Sequence, residues 1–82
     1  MSERSTVVVL EYPVTSNGET LQRLNVRRPK VKDLEMVDGI EGEMAKSIRL
    51  LANLSDTTDD HIRDMDAGDF QKAADLVGDF LG

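Results

Sequence analysis

The chain has 82 residues, no cysteine, 39% hydrophobic and 32% charged residues, and a formal net charge of −6. That length supports one small domain with a modest core, and the lack of thiols excludes a disulfide scaffold, a thiolate zinc site and cysteine chemistry. Neither the first residues nor any later stretch carries an apolar run suited to a signal peptide or to a membrane span of roughly 20 residues, so a soluble, cytoplasmic protein with no membrane partner is expected.

Residues 1–5 read as a disordered start. Residues 6–12, Thr-Val-Val-Val-Leu-Glu-Tyr, form a β-branched run that packs well on a pleated surface and is bounded by Pro13. Ser16-Asn17-Gly18-Glu19 supplies a turn, because Asn and Gly tolerate positive φ. Residues 20–26 return as a second strand. Leu24 and Val26 share a face and Leu21 falls out of step with them, which points to a bulge near Gln22. A lone hairpin is marginal in water, so its apolar face must be covered by helices later in the chain or by another chain.

At Pro29 the apolar spacing changes from alternation to helical recurrence. Val31, Leu34, Val37 and Ile40 give a short helix that Gly39 and Gly42 end. From about residue 41 to residue 54, Met44, Ala45, Ile48, Leu51 and Ala52 make a continuous stripe opposite Lys46 and Arg49. Thr57-Thr58-Asp59-Asp60 signals a further helix start, since Thr accepts from orphan N–H groups and acids complement the positive end of a helix dipole. That helix carries His61, Ile62 and Met65. Asp66-Ala67-Gly68-Asp69 opens the last one, with Phe70, Ala73, Val77 and either Phe80 or Leu81 on one face, and Gly82 as its stop. The fold class is α+β: residues 6–27 form a hairpin and residues 30–82 a cluster of three or four short helices in a single domain.

Charge is unevenly placed. Residues 1–32 carry six basic and three acidic side chains, a balance of +3; residues 33–82 carry four basic and thirteen acidic, a balance of −9. Phosphate contacts require a basic footprint, so no nucleic-acid partner is expected for the acidic half, whose plain role is solubility. Arg27, Arg28, Lys30 and Lys32 concentrate basic charge at the strand-to-helix joint.

No pattern of catalytic residues emerges. His61 is the only histidine, and its neighbours Asp59, Asp60 and Asp64 point in different directions around a helix, so they suit a charged helix start better than a metal site. The acids do not match calcium-loop spacing, no Gly-rich phosphate loop is present, and no nucleophile stands at triad-like spacing from a base. An acyl carrier reading fails because Ser55 lies in Asn53-Leu54-Ser55-Asp56, without the Asp-Ser-Leu attachment motif, and because the hairpin is foreign to that all-helical fold. No cofactor and no metal are expected.

Taken together, Asn17-Gly18-Glu19-Thr20, the joint from Leu24 through Arg27-Arg28-Pro29-Lys30 to Leu34, the helix end Leu50-Leu51-Ala52-Asn53-Leu54, and Met65-Asp66-Ala67-Gly68-Asp69-Phe70 through Asp79-Phe80-Leu81 resemble the small tail assembly chaperones of Mu-like and related contractile-tailed bacteriophages. The resemblance implies a non-enzymatic protein of the host cytoplasm that binds the helical tape-measure protein and is absent from the mature virion. It also implies, for many tailed phages, a frameshifted longer form that recruits the tail tube protein. Candidate partner contacts are Met36 and Met65, whose thioethers repack easily, and the cations Arg27, Arg28, Lys30 and Lys32. The plain alternatives are that methionines, Met44 above all, fill an aliphatic core, and that the cations guard the hairpin edge. A rival function is a small acidic regulator that docks on a basic host protein in the manner of a DNA mimic.

Overall fold

A computed structural model of the chain describes residues 5–81. Of the loose start expected over residues 1–5, residues 1–4 lie outside the described residues, as does the stop at Gly82, and Ser5 belongs instead to a strand paired with Arg27. Strands β1 (Ser5–Ser16) and β2 (Glu19–Arg27) form an antiparallel hairpin, and helices α1 (Val31–Val37), α2 (Glu43–Leu54), α3 (Asp59–Asp64) and α4 (Ala67–Leu81) come after it. The α+β architecture matches the expectation.

The hairpin closes through Asn17 (φ 53°) and Gly18 (φ 80°), a two-residue turn with both central residues left-handed, whose twist matches that of paired strands. Leu10, Val14, Leu24 and Val26 are buried on one face, while Val7 and Val9 lie on the other and stay open to solvent. Pairing runs from Ser5 opposite Arg27 to Val9 opposite Arg23, then resumes with Val14 opposite Leu21. Residues 10–13 therefore stand against Gln22 alone. The bulge is where the broken alternation of β2 places it, and the surplus residues belong to β1. This also explains why β1 continues past Pro13: inside a bulge no ladder N–H is required, so proline is tolerated.

A bulge leaves backbone donors without ladder partners. Here the Glu11 and Tyr12 N–H groups donate to the two carboxylate oxygens of Asp69, at 3.1 and 3.0 Å. Asp69 lies in the first turn of α4 and is 2% exposed. Lys72, one turn further along α4, reaches both Asp69 Oδ1 at 3.5 Å and the Val9 carbonyl at 3.4 Å. The last helix is thus fastened to the first strand, and Ala73 and Val77 bring the same face of α4 onto the hairpin core with Leu51, Leu54 and Ile62.

The helix ends obey local rules. Asp66 caps α4, its Oδ2 accepting from the Gly68 and Asp69 N–H groups at 2.9 and 3.2 Å. Thr58 caps α3 by accepting from the His61 N–H. Helix α2 ends in a Schellman arrangement: the Thr57 N–H bonds the Ala52 carbonyl at 3.0 Å, and Asp56 occupies the left-handed position with φ 54°. On α4, Phe80 packs on the core while Leu81 is 53% exposed, which decides between the two.

The helical recurrence on α1 does not mark a buried stripe, and the expected core place of Met44 is corrected. Val31 and Leu34 do not face the core; they are 81% and 40% exposed, and only Val37 of that set is buried. Asp33 and Val37, four positions apart, form the inward face of α1, which rotates Val31 outward. Met44 does not fill the core either, being 63% exposed, because only the C-terminal part of α2 is covered and its first turn projects beyond.

Asp69→Ala is expected to lower the melting temperature and to accelerate amide exchange at Glu11 and Tyr12 before the rest of the hairpin, as read by hydrogen-exchange NMR. Asp56→Gly, which relieves a left-handed residue bearing a Cβ, should stabilise the fold by about 0.5–1 kcal/mol in urea denaturation.

Candidate partner-binding surface

At the strand-to-helix joint both arginines are bound into the fold. Arg27 makes a bidentate pair with Asp33, Nη1 to Oδ2 and Nη2 to Oδ1, each 2.8 Å. The Lys30 N–H donates to Asp33 Oδ2 at 2.8 Å, so the same carboxylate opens α1. The Arg27 bonds, joined by the Lys30 N–H and opposed by burial, hold the pKa of the Asp33 carboxyl down at about 2. Arg28 reaches across to α4, donating from Nη2 to the Phe80 carbonyl at 3.2 Å and lying 5.1 Å over the Phe80 ring. Both arginines of the expected collar therefore fasten the joint, while the side chains of Lys30 and Lys32 are exposed.

Of the two methionines singled out as contacts, Met36 is 66% exposed on α1 and Met65 is 8% exposed in the core. Val31 and Leu34, also exposed on α1, border with Glu35 and Asp38 a shallow depression of about 310 Å³ that Met36 does not line. Met65 nevertheless forms part of a groove of about 230 Å³ between α2, α3 and α4, with Met44, Ile48, Ile62, Arg63, Ala67 and Phe70. Assigning Met44 to the core on sequence hides this groove. The available signal is the length of the α2 stripe, which begins two turns before the residues that the hairpin covers.

His61 serves the fold. It is 2% exposed, with Nδ1 2.8 Å from Thr58 Oγ1 and Nε2 3.2 Å from the Glu19 carbonyl, so it ties the start of α3 to the hairpin turn. Asp59 pairs with Arg49 at 2.8 Å and Asp60 with Arg63 at 3.7 Å. Among the described residues no group of three or more His, Asp or Glu side chains converges as a metal site would require. Among them, too, no helix is long and apolar enough to cross a membrane.

The apolar side chains that the fold leaves exposed, among them Val31, Met36 and Met44, suit contact with another protein. Residues 7–82 match the profile of the family described as phage tail assembly chaperone proteins, E, or 41 or 14. The chain belongs to this family. No curated protein and no solved structure matches it. Membership gives the chaperone a role in building phage tails and accords with the order of hairpin, joint and helices on which the resemblance rests.

The Asp33 clamp predicts an acid dependence of this chaperone's stability. Unfolded, the carboxyl takes a proton near about pH 3.9; folded, it does so only near about pH 2. Its contribution is therefore complete above about pH 4 and is lost as pH falls through about 2. With Arg27 partly open to solvent, Asp33→Asn should cost about 1–2 kcal/mol at neutral pH, and the difference from the native chain should shrink towards pH 2 in urea titrations.

Proposed function

We propose that this chain is a non-enzymatic chaperone that holds the tape-measure protein of its phage before the tail tube polymerises around it. Membership of the tail assembly chaperone family carries the reading. The structure supports it through the apolar side chains that the fold leaves outside its core: Val31, Met36 and Met44 are 81%, 66% and 63% exposed on two neighbouring helices. An extended helical protein awaiting its tube displays apolar surface that would aggregate, and such side chains are suited to cover it. Methionine adapts to irregular partners because its thioether chain repacks at little cost.

Electrostatics complements this contact. A net charge of −6 keeps coated assemblies apart in the host cytoplasm, and Lys30 and Lys32 beside the apolar face of α1 steer the encounter towards acidic residues of the partner. The chaperone leaves as the tube closes and is not retained in the virion. A frameshifted longer form would add the means to recruit the tube subunit.

Co-expression with the full-length tape-measure protein of the same phage should give a soluble complex that survives affinity purification at low salt. An empty pull-down, together with normal tail length and yield after deletion of the gene, would overturn the proposal.

A further inference from the structure

We infer that the groove between α2, α3 and α4 seats an amphipathic helix whose apolar side chains are flanked by lysine or arginine. The inference rests on the tape-measure reading for the source of that helix, and on the geometry and charge of the groove for its chemistry. Met44 and Ile48, four positions apart, form one wall on α2, and Phe70 forms the opposite wall on α4. Ile62 and Met65 make a floor that is already core, 2% and 8% exposed, so the seat is firm beneath and adaptable at the Met44 lip.

Size favours a side-chain anchor over a small molecule. Small-molecule sites occupy about 300–1,000 Å³ and enclose most of their ligand; this groove offers about 230 Å³ and is shallow. It has room for a large apolar side chain carried by a helix that lies across it, the arrangement of helix-in-groove recognition.

Charge selects the flanks of that helix. Glu43 precedes Met44, and Asp64 and Asp66 bracket Met65; all three acids are exposed. Arg63, the cation that lines the groove among the described residues, stands 3.7 Å from Asp60. The groove also lies wholly within residues 33–82, whose charge balance is −9. Cations beside the apolar anchors of a partner are therefore favoured and carboxylates repelled. The depression on α1 is itself lined by Glu35 and Asp38, with Lys30 and Lys32 close by in the chain, so both signs of charge stand around it.

The test uses the full chain and two synthetic helical peptides of about 20 residues. Both carry leucines at i, i+3, i+4 and i+7, and they are flanked by lysines in one and by glutamates in the other. Fluorescence anisotropy at low salt should show the lysine peptide binding about tenfold more tightly, with the preference collapsing in about 0.5 M salt. Met44→Lys should weaken that binding about tenfold or more without lowering the melting temperature. Met44→Leu should preserve it, and Val9→Lys on the open face of the hairpin should leave it unchanged. Equal binding of the two peptides, or indifference to Met44→Lys, would overturn the inference. Capturing full-length tape-measure protein with the Met44 variants and with Met36→Lys separates the two claims. Capture that tolerates Met44→Lys and fails with Met36→Lys removes the groove and keeps the tape-measure reading. Peptide binding that depends on Met44, with no capture of tape-measure protein by the native chain, keeps the groove and removes that reading.

Discussion

The fold depends on one carboxylate. A two-stranded sheet has too little cooperative surface to stand alone in water, and this one is further weakened by a bulge that leaves two N–H groups of β1 without a ladder. Asp69 accepts both, from Glu11 and Tyr12, although they lie 58 and 57 positions away in the chain. The Tyr12 bond, with the Glu11 bond and Lys72 behind it, holds the Asp69 carboxyl below the ordinary range against the opposing effect of burial. Asp66 in turn fixes the helix start that presents Asp69. Because residues four apart share a helix face, the same clamp aims Ala73 and Val77 at Leu10 and Val14, and the core assembles around the contact.

A second carboxylate works at shorter range and with a different consequence. Asp33 takes the Arg27 fork and the Lys30 N–H, so the turn from β2 into α1 is fixed by polar bonds made within six positions of the chain. A helix seated by its acid has no need to bury its apolar residues. Val31 and Met36 consequently face solvent, which in a chain of this size removes area from an already small core. Stability is thereby exchanged for displayed surface, and the polar joint is what makes the exchange tolerable.

Local features are the legible ones. The Asn17-Gly18 turn, the change of period at Pro29, the α2 stripe and the Thr58 start all arise from rules that act within a few residues, and the bulge opposite Gln22 announces itself as a break in alternation. Asp69 reads from sequence only as an acid in its own helix start, because nothing near it in the chain points to donors on β1. Arg27 and Arg28 resemble a displayed collar for the same reason: Asp33 and Phe80 become their partners only after the chain turns back. Of the methionines, Met44, expected in the core, is mostly exposed, and Met65, expected against a partner, is buried in the floor of the groove. A helical stripe states which face is apolar, and the ends of the neighbouring helices decide how much of that face is covered.

The same division between internal and displayed charge alters the electrostatic character that composition suggests. Counted along the chain, the first 32 residues are basic by three charges. Arg27, however, is neutralised by a buried carboxylate, and Arg28 is committed to the last turn of α4. The lysines at the joint stand among Glu35 and Asp38, so the positive end of the molecule is less strongly expressed than the sequence implies. Next in the chain to the groove residues Met44 and Met65 stand Glu43, Asp64 and Asp66, all exposed. Coulomb attraction between exposed charges is modest in water and adds little affinity, but it acts at the distances over which partners first orient. The charge that an approaching helix meets near the groove is therefore set by these exposed acids, beside an apolar floor of Ile62 and Met65.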